Sequence, residues 1–237
     1  MTATERESMM GNHEPQIDRT AQVSFGQRAK DYFRKGFHDW IREFLEYRYL
    51  IGLSLVLVVV ATYLDYYSGV YVTEKGGVEV PDLILDHLEP IDLSPLFVYG
   101  YIGLVVALIA YPLLFHIRTL HAVVSQFSLL VVLRSIFMIF THLETPPDAV
   151  PAHFPWIFGQ LSFQNDRFFS GHTAIPFLGF FLFKDSPVRY LFLVGSIVMG
   201  IVVLGMHMHY SIDVFSAFFI TYCSYRMGMR AFDRLTP

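Results

Sequence analysis

Long apolar runs separated by short polar segments dominate the chain beyond about residue 50. A helix that crosses the hydrocarbon of a bilayer needs about 20 mainly apolar residues. Only helices and closed barrels satisfy the backbone in lipid, and these runs are too uniformly apolar for barrel strands. The fourth run is short, and we expect its helix to begin earlier, near Ser170. The pattern predicts an all-α membrane protein, a bundle of six transmembrane helices at 50–67, 96–115, 122–140, 174–183, 190–205 and 211–229.

The polar first part of the chain is predicted to lie outside this bundle. Residues 1–27 are expected to form a disordered cytoplasmic tail. In residues 28–49 basic residues alternate with aromatics, as in an amphipathic helix on the membrane surface, although an ordinary helical lead-in explains the pattern equally well. Residues 50–230 then form the predicted six-helix domain, and residues 231–237 a second cytoplasmic tail.

Composition supports the membrane class and narrows the partners. Charged residues make up 16% of the chain, against about a quarter in soluble domains. The net charge of −4 gives no basis for a nucleic-acid partner. The single cysteine, Cys223, lies in an apolar run, so neither a disulfide framework nor a thiolate metal site is expected. Oligomeric state is left open by the sequence.

The distribution of basic residues predicts an orientation. If the N-terminus is cytoplasmic, 14 of the 17 Lys and Arg residues fall on the cytoplasmic side, as the positive-inside bias requires. The loops at 65–95, 141–169 and 206–210 then face the other side of the membrane, which is lumenal, periplasmic or extracellular. The candidate functional groups described next all lie on or just beneath that face.

The first candidate cluster is the sequence NDRFFSGHT at 165–173, which enters the fourth span. Ser170 is a suitable N-cap, and Gly171 allows a ligand to approach the backbone closely. A helix N-terminus offers N–H donors and a partial positive charge to an anion. We therefore expect His172, in the first helical turn, to face a bound anion.

The second candidate cluster is HMHYSIDV at 207–214, which enters the sixth span. His209 and Asp213 are four residues apart, so on a helix they share a face and can form a hydrogen bond. A carboxylate on one imidazole nitrogen fixes the tautomer and leaves the other nitrogen to attack or to accept a proton. Two such clusters on one face suggest that one imidazole is the nucleophile and the other transfers protons.

These clusters carry a family resemblance. The patterns DxxxSGHT at 166–173 and HYSxDV at 209–214 resemble the third and fourth signature motifs of the sphingomyelin synthase family, a branch of the type 2 phosphatidic acid phosphatase (PAP2) superfamily. The sequence VPDLI at 80–84 resembles the end of that family's first motif, and Arg134 with Thr141 resembles part of its second. The family's Cys-Gly before the third motif is Gln164-Asn165 here, which leaves the headgroup and the acceptor open.

The resemblance implies a two-step headgroup transfer that uses neither a cofactor nor a metal. His209, oriented by Asp213, would attack the phosphorus of a phospholipid donor such as phosphatidylcholine or phosphatidylethanolamine. Diacylglycerol would leave with a proton from His172, giving a phosphohistidine. His172 would then deprotonate the hydroxyl of the acceptor, ceramide or another lipid alcohol. Asp166 would support His172 or the substrate amine.

Further residues are candidates for substrate binding. Arg134, inside a span, is either a phosphate clamp or the partner of Asp65 or Asp82. Arg167 would bind a lipid headgroup or the substrate. His207 is predicted to be structural, and the carboxylates near Asp82 to lie in a solvated loop, with recognition of an amine as the alternative. The motif positions and the neighbouring outer loop complete the set: Ser170, Gly171, Thr173, Tyr210 and Glu144.

Three other functions fit parts of the pattern. The nearest is a PAP2-type lipid phosphatase or phospholipase C-like hydrolase with water as acceptor. Phosphatases of that superfamily carry two basic motifs absent here, and Val203 stands at the expected arginine position. A phosphomonoester dianion needs several cations, whereas a diester needs fewer, which favours the transferase. A transporter or scramblase and a lipid sensor without turnover are the remaining alternatives.

Overall fold

Helices provide nearly all the regular structure of the protein. The computed structural model describes residues 25–155 and 168–232, with side chains from residue 36 onward. Within these residues there is no strand, and the one β-bridge joins Val78 to Leu143. The predicted all-α fold is therefore confirmed for the described part of the chain. The helices are α1 Phe25–Lys75, α2 Tyr101–Phe115 with a preceding π-helical turn Leu96–Gly100, α3 Ile117–Phe140, α4 Gly171–Leu182, α5 Arg189–Gly205 and α6 Ser211–Phe232.

Three of these helices are long and apolar enough to cross a membrane. They are the part of α1 at Gly36–Lys75, the helix Leu96–Phe115 and α3. Helices α4 and α5 are apolar but have 12 and 17 residues. At about 1.5 Å per residue, α4 is about 18 Å long, which is short of a hydrocarbon core of about 30 Å. Helix α6 has 22 residues but is more polar. A bundle of six spans therefore stays a prediction.

The boundaries of α1 differ from those expected. The helix continues through residues 65–75, which were predicted to begin the first outer loop. It ends before Gly76, whose φ of 75° is the left-handed conformation that glycine adopts at low cost. The predicted interfacial segment 28–49 and the first predicted span belong to this same helix. The predicted disordered tail 1–27 lies mostly outside the described residues.

The chain divides into two compact units, residues 1–42 and 43–237. In the first, Phe37 stacks on Trp40, and Arg42 pairs with Asp39 at 3.2 Å. That ion pair is exposed, so it adds little stability.

In the second unit, α4 occupies the centre and packs against α2, α3, α5 and α6. Its closest approach is to α5, because a Cβ at Gly179 would lie 2.5 Å from the Phe192 ring. One buried apolar cluster surrounds this contact and includes Leu108, Leu130 and Leu178.

The connecting segments of the second unit meet at one end of the helices. Backbone hydrogen bonds join the first loop to the second (Val78 N–H to His142 O, 2.9 Å) and to the end of α5 (Ile91 N–H to Gly205 O, 2.7 Å). Another joins the second loop to the turn after α5 at 2.9 Å. We call this region the loop end; it comprises residues 76–95, 141–155, 168–170 and 206–210.

Gly77 permits the close contact between the first two loops. A Cβ at this position would lie 2.7 Å from the carbonyl carbon of Leu143 and 2.8 Å from Cα of Glu144. These are backbone atoms, so no side-chain rotation relieves the overlap. We expect Gly77→Ala to separate the two loops and to lower the free energy of unfolding by about 1–3 kcal/mol.

The measurement is the Tm of the full chain in detergent. Gly103→Ala is the matched control, because Gly103 lies in α2 with nothing within 4 Å of its would-be Cβ. Alanine there should leave the Tm unchanged or raise it, since alanine favours helix over glycine. Equal Tm values for the two variants would show that the loops do not depend on this contact.

Candidate functional site

His209 and Asp213 form a buried pair at the loop end. Their side chains are 5% and 0% exposed, and Nδ1 of His209 lies 3.5 Å from Oδ2 of Asp213. That separation is long for a hydrogen bond and suits an ion pair when the imidazole is protonated. The predicted geometry is wrong in one respect. Helix α6 begins only at Ser211, so His209 precedes the helix and does not share a helical face with Asp213.

The backbone before α6 explains how the pair nevertheless forms. Asp213 is the third residue of the helix, and its Oδ2 accepts the N–H of Tyr210, the residue before the helix, at 3.0 Å. This is the reciprocal half of a capping box, with Asp in place of Glu. The helix dipole also favours a carboxylate in this first turn. The cap folds the chain back so that His209 reaches the carboxylate.

His172 lies in the first turn of α4, where the sequence places it. Its ring stacks on Phe97 and packs at a tilt against Tyr101, with a centroid distance of 4.1 Å in both cases. Phe154 lies further out, at 5.9 Å. The side chain is only half-buried. The two rings therefore hold the plane of the imidazole at the N-terminus of α4 while leaving part of it accessible.

The first turns of α4 and α6 adjoin. The N–H of Ser170 donates to the carbonyl of Asp213 at 3.2 Å. Phe97, which stacks on His172, belongs to the same buried apolar cluster as Val214. The structure thus brings the described part of the first cluster, from Phe168, next to the second cluster at one end of the bundle.

The predicted cap of α4 is only half correct. Ser170 occupies the N-cap position, with φ −62° and ψ 111°, but its side chain makes no capping bond. Its Oγ instead accepts a long hydrogen bond of 3.4 Å from Thr173. The carbonyl of Thr173 accepts the hydroxyl of Ser196 at 2.8 Å, which ties the turn to α5. Both Ser170 and Thr173 are fully buried.

Arg134 pairs with Asp65, one of its two predicted partners. Its Nη1 lies 3.2 Å from Oδ1 of Asp65, and its Nε donates to the carbonyl of Phe169 at 3.3 Å. Nε also lies beside Gly171, where a Cβ would be 3.4 Å from it, an ordinary van der Waals distance. The guanidinium is therefore held beside the N-terminus of α4, next to His172. Its role as a phosphate clamp stays a prediction.

Tyr210, which precedes α6, and Glu144, in the second loop, both contact the first loop. Tyr210 is 2% exposed, and its hydroxyl accepts the N–H of Val80 at 3.4 Å. Burial raises the pKa of Tyr210; the bond from Val80 lowers it, and the charges of Glu79, Asp213 and Glu144 raise it again, so the net shift is upward. The phenol therefore stays protonated at neutral pH. Glu144 is exposed, and its N–H donates to Val78 at 3.2 Å.

Two predicted site residues lie outside the part of the chain that the structure describes. These are Asp166, predicted to support His172, and Arg167, predicted to bind a headgroup. Both stay predictions.

Asp82 is the residue whose environment the sequence interpretation missed. It was expected in a solvated loop, or as a partner of Arg134, but its side chain is 7% exposed and it contacts α6 instead. Its Oδ2 accepts the N–H and the hydroxyl of Ser211 at 2.6 and 2.8 Å. Its Oδ1 accepts the N–H groups of Ile84 and Leu85. The bonds from Asp82 to the N–H groups two and three residues later form a local turn, which a sequence can indicate. The contact of Asp82 with Ser211 is long-range, and a local pattern does not reveal it.

These bonds make Asp82 a pH-dependent link between the first loop and α6. Partial burial alone would raise its pKa, but the bonds from Ser211, Leu85 and Ile84 lower the pKa below its ordinary value of 3.8. A lowered pKa means that the carboxylate stabilises the fold above pH 3.8, and that this contribution is lost as pH falls through the folded-state pKa.

We expect Asp82→Asn to lower the free energy of unfolding at neutral pH by about 1.5–3 kcal/mol, because bonds to a charged acceptor become bonds to a neutral one. Thermal unfolding in detergent at a series of pH values is the measurement. The difference in Tm from the wild-type protein should shrink as the pH falls below 3.8, and it should be lost below the folded-state pKa, where the wild-type carboxylate also becomes protonated. A difference that stays constant down to pH 2 would contradict the assignment.

The arrangement combines one imidazole at a helix N-terminus, a second imidazole against a buried carboxylate, and a buried guanidinium beside them. Such a set can hold an anion and transfer protons to and from it.

No family model matches the chain, and no curated protein or solved structure shows significant similarity to it.

Proposed function

We propose that this protein is a membrane phosphotransferase. It moves a phosphoalcohol headgroup, phosphocholine or phosphoethanolamine, from a glycerophospholipid to ceramide or a similar lipid alcohol. The proposal joins the resemblance of the motifs to the sphingomyelin synthase family with one observation. The hydrogen bond from Ser170 to Asp213 ties together the first turns of α4 and α6, which carry His172 and the partner of His209.

In the first step, His209 is the nucleophile. Asp213 takes the Nδ1 side of the ring, so Nε2 carries the lone pair that attacks phosphorus. The new P–N bond forms as the bond between phosphorus and the diacylglycerol oxygen breaks. His172 donates a proton to that oxygen, and diacylglycerol leaves while the headgroup stays on His209.

In the second step, the two imidazoles reverse their roles. His172, now neutral, removes the proton from the acceptor hydroxyl, whose oxygen attacks phosphorus. The P–N bond breaks, and its electron pair returns to Nε2 of His209. The product is a new phosphodiester lipid, and both histidines regain their starting protonation states.

The phosphate would be held at the N-terminus of α4. Backbone N–H groups there favour an anion, and the guanidinium of Arg134 lies beside Gly171 at the same helix end. Asp166, Arg167 and Glu144 are further candidates for substrate contacts. Negative charge spreads over the phosphate oxygens in the transition state of the displacement. Fixed donors of this kind therefore stabilise the transition state more than they stabilise the ground state.

The proposed topology places the loop end on the non-cytoplasmic side and both termini in the cytoplasm, with six spans. The three helices that are long and apolar enough to cross a membrane support a membrane location. The distribution of Lys and Arg residues supports the orientation.

The test is a transfer assay with the full chain in liposomes. The donor is phosphatidylethanolamine or phosphatidylcholine, with and without ceramide, and lipid products are read by mass spectrometry. We expect a ceramide-dependent phospholipid product together with one diacylglycerol per transfer. Release of free phosphoalcohol or phosphate without any new lipid would instead identify a hydrolase that uses water as the acceptor.

A further inference from the structure

An acidic cavity lies next to the proposed nucleophile. Its volume is about 290 Å³, and it is bounded by the first loop, the second loop and the turn before α6. Five carboxylates line it, and among the described lining residues there is no Lys or Arg. The lining is Glu79, Val80, Asp82, Leu85, Asp86, Leu88, Glu89, Pro90, Pro146, Pro147, Asp148, His207 and Tyr210.

Most of this negative charge is not balanced within the described protein. Asp82 is committed to Ser211 and to its own turn. The other four carboxylates, Glu79, Asp86, Glu89 and Asp148, are exposed, and no described residue forms an ion pair with them. A cavity lined in this way attracts a cation.

His207 gives an independent indication of a ligand. It lines the cavity and is 4% exposed, yet its Nε2 is buried without a hydrogen-bond partner among the described residues. A buried nitrogen left in this state costs free energy that a bound donor would recover.

The backbone holds His207 at an unusual position. Helix α5 ends in a Schellman motif, in which His207 N–H bonds to Leu204 O at 3.0 Å and Met208 N–H bonds to Val203 O at 2.9 Å. His207 is the left-handed residue of this motif, with φ 53°, where glycine is the usual residue. Glycine would make the same turn with less strain, so the imidazole is not required for the fold of the turn.

The chemistry of the lining distinguishes two kinds of organic cation. Quaternary ammonium groups have no N–H to donate and are recognised by cages of several aromatic faces. Only one aromatic ring, that of Tyr210, lines this cavity among the described residues. Carboxylates and an imidazole nitrogen are instead hydrogen-bond acceptors, which suit a primary ammonium with three N–H donors.

A metal ion fits the cavity less well. Calcium requires six to eight oxygen ligands converging at about 2.3–2.6 Å. Within the described residues, no three His, Cys, Asp or Glu side chains are close enough together to hold a metal ion. The carboxylates are therefore spread around the wall and do not converge on one point as metal ligands do.

We propose that the acidic cavity binds the primary ammonium of the donor headgroup, so that the protein selects an ethanolamine-type phosphodiester over a choline-type or uncharged one. The selection rests on the proposed transferase function, because the phosphate lies at the neighbouring histidines. His207 and Tyr210, which line the cavity, flank His209 in the chain, so the proposed ammonium site adjoins the proposed nucleophile.

The experiment measures binding, which does not depend on turnover. Three soluble probes are titrated calorimetrically into the full chain in detergent: sn-glycero-3-phosphoethanolamine, sn-glycero-3-phosphocholine and the uncharged sn-glycero-3-phosphopropanol. We expect the ethanolamine probe to bind at least about tenfold more tightly than the other two, because only its ammonium can donate charge-assisted hydrogen bonds to the lining. Equal affinities, or tightest binding of the choline probe, would overturn the proposal.

Three variants test the residues. The double variant Asp86→Asn/Asp148→Asn should lower the affinity for the ethanolamine probe by about tenfold, and so should the single variant His207→Gly. Neither should change the affinity for the propanol probe. His207→Gly should also keep or raise the Tm, because it relieves the left-handed strain. Glu74→Gln is the control, since Glu74 is an exposed carboxylate at the end of α1 that does not line the cavity. Unchanged affinity for the ethanolamine probe in the cavity variants would overturn the proposal.

The two proposals fail in different ways. If the cavity variants abolish amine-dependent binding but no donor supports transfer, the ammonium site is supported and the transferase function is ruled out. Transfer that proceeds with equal kcat/KM from ethanolamine, choline and propanol phospholipids would remove the ammonium site and leave the transferase.

Discussion

Replacement of His209 by alanine should reduce headgroup transfer by about 100,000-fold or more. Without its imidazole no P–N bond forms, and loss of a nucleophile or its base in a concerted site costs rates of this order. The measurement is the initial rate of ceramide-dependent transfer in liposomes at saturating donor. Because His209 is 4% exposed, the Tm of the variant must be recorded as well.

The control for His209→Ala is His153→Ala, since His153 is an exposed imidazole of the same loop end. Its transfer rate should stay within about twofold of the wild-type rate, as for most surface substitutions. If His209→Ala retained a rate within tenfold of the wild-type protein at an unchanged Tm, His209 would not be the nucleophile.

Asp213→Asn should reduce transfer by about 10,000-fold while leaving the fold nearly intact. A neutral amide no longer favours the reactive tautomer of His209 and no longer stabilises its imidazolium form. The amide oxygen can still accept the N–H of Tyr210, which is the cap of α6. The expected loss is therefore in kcat, with little change in Tm.

A second readout separates this role from a structural one. If Asp213 acts on the charge of His209, the pKa that governs the acidic limb of the rate profile should change in Asp213→Asn. A fall in rate that follows the Tm, with an unchanged pH profile, would assign Asp213 to the cap alone.

Local patterns predicted the helices well because a helix is a local structure. The apolar runs located α2, α3, α5 and α6 to within a few residues, and the short fourth run correctly indicated a start near Ser170. The end of α1 was misplaced by several residues. Tyr and Asp residues at 65–67 look like the edge of a loop, but nothing interrupts the helix before Gly76.

Contacts between distant segments could not be predicted in the same way. The pairing of His209 with Asp213 was expected from helical spacing, whereas the structure forms it through a cap in front of the helix. The burial of Asp82 depends on Ser211, 129 residues later in the chain. No local pattern in one sequence contains such a contact.

His207 shows the same limit at a single position. The sequence analysis predicted a structural role for His207, and nothing in HMH indicates a left-handed backbone there. The structure places His207 in the left-handed position of a Schellman motif and on the wall of an acidic cavity. The unpartnered nitrogen of His207 suggests a ligand only because the residue lines a cavity, and that cavity is formed by three separate segments.

In the proposed mechanism His209 carries the headgroup covalently between two lipids. This is measured by covalent labelling of the wild-type protein with a donor that carries a label in its headgroup, in the absence of acceptor. The reaction is quenched in alkali, because a phosphoramidate is stable there. We predict one acid-labile label per chain, on the peptide that contains His209, and its discharge to lipid when ceramide is added before quenching. Ceramide-dependent transfer without any labelled peptide, or with the label on another residue, would show that His209 is not the covalent carrier of the headgroup.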